Sequence, residues 1–344
     1  MNHIEKINQL IKDYFSILSP EYPEWLNEYI ETERMLKQQY ISDTCGKVYS
    51  KLFNYDNYSS LDHSIAVALI IWNFTHDKKQ TLSGLFHDIA TPAFKHCVDF
   101  LNGDYMNQES TEELTKILIQ DSKEIMQLLE RDNIKIEEVC DYHIYPIADN
   151  DTPMLSSDRL EYSLSNGLIV FKTNTLEEIR EIYNDIEVQT NENGICELGF
   201  KTKKIARKFV KNTSSLSVCY RDDATRFFMQ AIADILKKLS ERGLITKKDL
   251  YELKESEVID IIKKSEYVDA YNKLINSIKV NTSKEEPKDI YYVKHGAKIR
   301  YIDPLFNGKR MSKECKLVQK MIEKNLSYNM DDYVYIDKAL NILN

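Results

Sequence analysis

LDHSIAVALIIWNFT, residues 61–75, is apolar on nearly every side, and TLSGLFHDIA, residues 81–90, follows it after the polar turn HDKKQ. A helix that carries apolar residues all round belongs in a protein interior. The two stretches therefore predict a pair of buried helices joined by a short turn. Each carries residues that suit an interior poorly: His63 in the first, His87 and Asp88 in the second. Pro92 restricts Thr91 to an extended conformation and should end or kink the second helix.

Outward from this pair, residues 1–20 read as an amphipathic helix, with Ile4, Ile7, Leu10, Ile11, Phe15 and Leu18 at helical spacing. Residues 21–58 read as further helix and loop. Helical periodicity returns at 109–130 and 134–143, and residues 144–153 form a Pro- and Asp-containing loop. Ser156 or Ser157 is a suitable N-cap for the segment SDRLEYSLSNGLI. Residues 187–200 read as a hairpin around Asn193-Gly194. Two long helical stretches, roughly 201–241 and 246–280, precede a polar, linker-like segment at 281–288. Residues 290–304, IYYVKHGAKIRYIDP, read as a second hairpin turning at His295-Gly296. The tail reads as helical, then mixed. The expected fold is mainly α, with a helical core and small β-hairpin embellishments in the C-terminal half. Residues 1–180 would form the core with its N-terminal helices, and 181–344 a helical C-terminal region bearing both hairpins.

Composition agrees with that reading. Only 9 Gly and 7 Pro occur in 344 residues, too few turn-formers for a many-stranded sandwich. A net charge of −9 lacks the basic excess of a general nucleic-acid binder, so no nucleic acid is expected as partner. The six Cys include no C-x-x-C pair and read as reduced thiols of a cytoplasmic protein. The first residues have no apolar signal core, and the longest apolar run, Ile65 to Trp72, is too short to span a bilayer. A homo-oligomer is expected.

The chemistry rests on His87-Asp88. Neighbouring residues of a helix point about 100° apart, so the pair can share a metal only if the ion sits off the helix edge. His63, on the preceding helix, can supply a third ligand, and Asp158, at the start of a later helix, a fourth. Two imidazoles and two carboxylates suit one divalent ion: Mn, Fe or Zn, with Mg and Ni also acceptable. The structural alternative is a hydrogen-bonded core histidine. An HD dipeptide alone decides nothing, since His76-Asp77 forms another in a polar turn where a surface position is expected.

A longer pattern separates the two pairs. LDHSIAVALI, then LFHDIATPAFKHCVD, then SSDRLEY resemble the HD-domain metal-dependent phosphohydrolases, and within them the deoxynucleoside triphosphate triphosphohydrolase branch. The resemblance covers roughly residues 58–170. It implies an HD-domain helical core whose metal is held by His63, His87, Asp88 and Asp158. It also implies that His96 and Asp99, which match the family's F-x-H-x-x-D with Phe94, lie beside substrate phosphates. His96 would donate to a phosphate oxygen or leaving group and Asp99 would orient a catalytic group. By the same match Arg159 would clamp a phosphate and Tyr162 would lie against the sugar or phosphate.

The departures bear on the reaction. The family's Arg three residues before the first His is Ser60 here, and the His after H-D-x-G is Thr91. The His of an HE pair on the next helix falls at Gln108, and the sugar-associated carboxylate at Asn166. Thr91 and Gln108 can hydrogen-bond a substrate phosphate but cannot exchange a proton at neutral pH. Glu109 is the candidate to take over acid–base work. Its structural alternative is helix-start chemistry, with Ser110 and Glu113 forming a capping box. The expected function is a phosphohydrolase acting on a nucleotide or related phosphate ester, with dNTP triphosphohydrolysis as one form. The alternatives are a non-catalytic nucleotide sensor or scaffold that keeps the pocket, and a phosphodiesterase or alarmone hydrolase.

Overall fold

A computed structural model describes residues 2–106, 114–338 and 340. The fold is predominantly helical, at 55%, with a few small strands. The first apolar stretch is a helix over Ser60–Thr75, termed the His63 helix, and it is buried along most of its length. Ser59 caps it in a capping box with Asp62. The buried His3 side chain holds Asp62 Oδ1 at 2.9 Å, which ties the N-terminus to this cap. His76, exposed and left-handed, ends the helix, and Asp77 caps the next one. The second HD dipeptide is thus a turn between two helices.

The following helix runs Lys78–Phe86 and stops earlier than Pro92 demands. His87 is its C-cap, and residues 87–90 form a turn. The pair thus lies at the end of the helix, where both side chains can face an ion off its edge. The two helices approach so closely that a Cβ at Gly84 would lie 2.2 Å from Ile71 Cδ1. A third element, Ser157–Ser165, is the Asp158 helix; Ser156 caps it by accepting from Arg159 N–H. It packs against the His63 helix and runs into a π-helical turn at Asn166–Val170. Such widened turns are frequent at functional sites.

Among the described residues, two large hydrophobic cores and one small cluster around Val67, Ile71 and Ala148 hold the fold. One gathers the N-terminal helices, the His63 and Asp158 helices and residues such as Leu198, Phe209, Ile302 and Val318. The other packs Ile41, Phe94 and Phe100 against the long helix Asp223–Glu241 and residues on to Leu340. Both cores mix residues from the two halves of the chain.

Several local expectations need correction. Residues 134–143 form only short 3-10 turns, Ile136–Glu138 and Tyr142–Ile144. The stretch 201–241 breaks into Lys203–Cys219 and Asp223–Glu241, where Asp222 caps the second helix. The stretch 246–280 breaks into three short helices, of which Glu255–Lys264 matters below as the Glu255 helix.

The first hairpin is present: β1 (Ile186–Thr190) and β2 (Cys196–Phe200) pair antiparallel. The second is not. β3 (Asn281–Ser283) lies within the segment expected to be a linker, and β4 is Tyr292–Val293. β5 (Leu305–Phe306) and β6 (Lys309–Arg310) extend the first sheet in the order β1-β2-β5-β6. β7 (Tyr333–Tyr335) lies between β3 and β4. Alternation of apolar residues at 290–304 suggested a local partner, but β4 pairs with β7 from the chain's end. Residues 294–304 become a strap without regular structure between the two sheets.

Candidate metal centre and its cavity

The His63 helix, the turn after Phe86 and the Asp158 helix meet at one end of a cavity of about 470 Å3. His63, His87, Asp88 and Asp158 all line it. His63 Nε2 lies 3.2 Å from His87 Nε2 and 3.2 Å from Asp158 Oδ1. His87 Nε2 lies 3.7 Å from Asp88 Oδ1 and 3.9 Å from Asp158 Oδ1. Donors held about 2.0–2.2 Å from one ion at right angles would be about 3 Å apart, and opposite donors about 4 Å. Among the described residues, His63, His87 and Asp88 place donor atoms within 4.8 Å of one another and could hold a divalent ion, with Asp158 Oδ1 beside both imidazoles.

The ring orientations agree with ligation. His87 Nδ1 donates to Gly84 O at 2.7 Å, since a carbonyl can only accept. Its Nε2 is therefore the available lone pair. His63 Nδ1 bonds the fully buried Glu161 through a short contact. Tyr58 and Tyr14 hydroxyls donate to the other oxygen of Glu161, at 2.8 and 3.3 Å. A carboxylate behind a histidine fixes its tautomer and raises its basicity, which is the usual support of a metal-bound imidazole. Burial alone would push the His63 imidazole down, yet Glu161, Asp158 and Asp43 hold it well above the usual histidine range. The electrostatics of the cluster thus favour a positive charge between these donors, which a metal supplies in place of protons.

Beside Asp88 lies a turn of unusual backbone. Phe94 and Lys95 both have positive φ, 65° and 43°. Two consecutive non-glycine residues in that region cost on the order of 1–3 kcal/mol each. The surroundings over-determine the turn. Phe94 N–H donates to Glu255 Oε1 at 3.1 Å and Ala93 N–H to Leu250 O at 2.8 Å. The Phe94 ring lies over Gly46, where an added Cβ would stand 2.5 Å from Cδ1. The outcome is that Lys95 and His96 both reach the cavity.

His96 Nδ1 lies 2.8 Å from Asp99 Oδ2, and Asp99 is fully buried. His96 Nε2 lies 3.4 Å from Arg300 on the strap. Burial lowers the His96 imidazole below its usual range; Asp99 opposes this and Arg300 adds to it. A neutral ring that donates through Nδ1 to Asp99 presents Nε2 as an acceptor. In that tautomer Nε2 accepts from the Arg300 guanidinium.

The other expected site residues divide. Arg159, Tyr162 and Asn166 line the cavity. Arg159 NH1 is held by Asp149 Oδ1 (3.0 Å), Asn150 Oδ1 (2.8 Å) and Ser156 Oγ (3.1 Å). Its carboxylate partner is thus Asp149. Tyr162 packs edge-on to Tyr220, and burial pushes its hydroxyl up to about 12. Thr91 is buried and does not line the cavity; the turn after Phe86 carries it away. Gln108 and Glu109 lie outside the described residues, as do Ser110 and Glu113.

Several cavity residues escaped the sequence reading. Asp43, Lys47, Tyr55, Lys95, Lys298 and Arg300 line the wall. The strap that carries Lys298 and Arg300 is pinned by Lys298 N–H to Tyr105 O (3.1 Å) and Asp303 N–H to Pro153 O (2.9 Å). No local motif marks these positions. Glu161 had a signal: it follows Asp158 by three residues, so both carboxylates share one helix face.

All six cysteines are free thiols. Among the described residues no helix is long and apolar enough to cross a membrane.

No known protein-family model matches the chain. The uncharacterized protein YdhJ of Bacillus subtilis (strain 168) is 21% identical over 257 residues, which cover 72% of this chain and 74% of that protein. Crystal structures of other proteins resemble it in fold, two of them as follows. A hypothetical protein from Aquifex aeolicus superposes with a TM-score of 0.62 at 14% identity, over 92% of this chain and 93% of the other. A protein from Bacteroides thetaiotaomicron VPI-5482, named a phosphohydrolase, superposes with a TM-score of 0.63 at 12% identity, over 92% and 97%. At such identities the likeness is one of fold, and it extends over nearly the whole of each chain.

Proposed function

We propose that this protein is a metal-dependent phosphohydrolase of the HD type, acting on a nucleotide or related phosphate ester. One observation carries the reading: His63, His87, Asp88 and Asp158 converge with neighbouring donor atoms 3.2–3.9 Å apart at a cavity lined by basic side chains. The name of the Bacteroides protein of the same fold adds support. A divalent ion bound by these four residues would supply Lewis acidity to a phosphoryl oxygen and to the attacking water.

The chain's own groups do the rest. Lys298 and Arg300 offer positive charge to phosphate oxygens from the strap, and Arg159 does so from the Asp158 helix. His96, neutral and oriented by Asp99, accepts a proton at Nε2. Tyr55, Tyr162, Phe171 and Tyr220 give the cavity an aromatic wall on which a ring-bearing substrate can lie.

The test uses protein stripped of metal and reloaded with Mn, Fe, Zn, Mg or Ni, against nucleoside mono-, di- and triphosphates, cyclic nucleotides and bis-phosphorylated nucleotides. Metal-dependent turnover of one class supports the reading. Equal turnover by stripped and loaded protein would refute it. Tight binding without turnover would favour a nucleotide sensor, the reading to which Ser60 and the position of Thr91 lend weight.

A further inference from the structure

Asp88 uses its two oxygens in different directions. Oδ1 faces the imidazoles, 3.7 Å from His87 Nε2. Oδ2 accepts from Lys95 Nζ at 2.8 Å and from Ser60 Oγ at 3.4 Å. The same Lys95 Nζ lies 2.6 Å from Asp43 Oδ1. Asp88 is therefore a bridging carboxylate, with the four-donor cluster on one side and a fixed ammonium on the other. Asp43 is the terminal partner of that ammonium.

This is the layout of a two-ion phosphate site, in which cations about 3.5–4 Å apart clamp the reacting group. Here one of the two cation positions is occupied by a side chain. The Lys95 ammonium is fixed there by both carboxylates, 2.6 Å from Asp43 Oδ1 and 2.8 Å from Asp88 Oδ2. Its placement is not incidental to packing. Both Lys95 and Asp43 line the cavity, and Lys95 gets there through the positive-φ turn that Glu255 and Gly46 hold in place. A buried ion pair that served only the fold would not need to face the cavity beside the proposed metal ligands.

We infer that Lys95 stands in for a second metal ion: the centre is a single-ion site by construction, and the Lys95 ammonium contacts a phosphoryl oxygen of the substrate beside the ion. The phosphoryl contact rests on the phosphohydrolase reading; the stoichiometry does not. An ammonium neutralises charge without ligand exchange, so one of the two clamping charges would be independent of metal supply. Removing it should leave Asp43 and the free oxygen of Asp88 as a vacant carboxylate pair able to take a further ion.

The experiment compares the full-length wild type with Lys95→Ala and Lys95→Arg. Bound Mn2+ is counted by calorimetry and elemental analysis without substrate, and inorganic phosphate is titrated into each Mn2+-loaded protein. Wild type and Lys95→Arg should take one equivalent. Lys95→Ala should take a second at millimolar Mn2+. Its affinity for phosphate should be at least 10-fold weaker at low Mn2+ and recover as the second ion binds. Thermal melting verifies that the variants fold, and Lys95→Met, which keeps much of the volume without the charge, carries the test if the alanine variant does not. Two equivalents in wild type or in Lys95→Arg would overturn the inference. So would one equivalent in folded Lys95→Ala, or phosphate affinity unchanged by its loss of charge. If wild type binds no metal at all, the phosphohydrolase reading itself fails; if wild type binds one ion and turns over substrate while Lys95→Ala also stays at one, only the role of Lys95 falls.

Discussion

Glu161 grips His63 from behind while Asp158, one helical turn earlier, faces it from the front. Glu161 Oε2 bonds Nδ1, and Asp158 Oδ1 lies 3.2 Å from Nε2. One helix therefore fixes both the tautomer of the imidazole and a neighbouring donor. Glu161→Gln keeps the volume but removes the charge that makes His63 basic. Metal affinity should fall about 10- to 100-fold, measured by competition with a metal indicator, with little change in helix content.

Asp88→Ala removes a proposed metal ligand and the acceptor of Lys95 in one step. Metal loading and turnover should be lost together. Retained activity in a variant shown by elemental analysis to be metal-free would count against the proposed centre.

His96 should set the acidic limb of the pH profile. Its lowered range places the apparent pKa of kcat/KM below 6.5, with activity lost as the ring protonates. Arg300→Gln removes one of the charges that lower it, so the limb should move to higher pH. A limb that stays in place, or moves down, would separate His96 from the rate.

Glu255 holds two cavity segments at once. It accepts Phe94 N–H at 3.1 Å and Ser42 N–H at 3.3 Å, and burial pushes its carboxyl up to about 7. The folded chain holds this proton more tightly than the unfolded one. The stabilisation is therefore full below about pH 4.5 and is lost as pH rises through about 7. A shift of this size corresponds to roughly 3 kcal/mol. Denaturant melts of wild type across that window should fall relative to Glu255→Gln; parallel curves would show that this carboxyl does not titrate there.

Gly46 has φ +76° and no room for a Cβ against the Phe94 ring. Gly46→Ala combines a left-handed penalty with overpacking and should cost about 2–4 kcal/mol in denaturant melts. It should also disturb metal-site chemistry through Phe94 and its neighbour Lys95.

The helical fold was legible because it rests on local signals: the all-round apolar stretch at 61–75, the Ser156 cap, and the sparse Gly and Pro. The cluster of His63, His87 and Asp88 was legible because each sits where a recognisable pattern places it. The second hairpin was misread because β4 takes its partner from residues 333–335, a pairing that no local alternation can reveal. Thr91 was misplaced because the helix ends at Phe86, so the turn that presents His87 and Asp88 carries Thr91 aside. Lys95 was passed over because its direction depends on two positive-φ residues, and nothing in the letters F-K-H announces them. Arg300 and Lys298 were invisible for a related reason, since only the three-dimensional course of residues 294–304 brings them to the cavity.

That strap has an evolutionary corollary. His63, His87, Asp88, Asp158 and Lys95 are set in packed helices and constrained turns, where substitutions disturb the core. Lys298 and Arg300 hang from an irregular segment anchored at its flanks by β4 and β5. Under the proposed function, drift in those few positions would exchange one clientele of phosphate esters for another while the proposed reaction centre is inherited intact. On that reading specificity and chemistry are separately heritable, and descendants with the same proposed metal donors need not share a substrate.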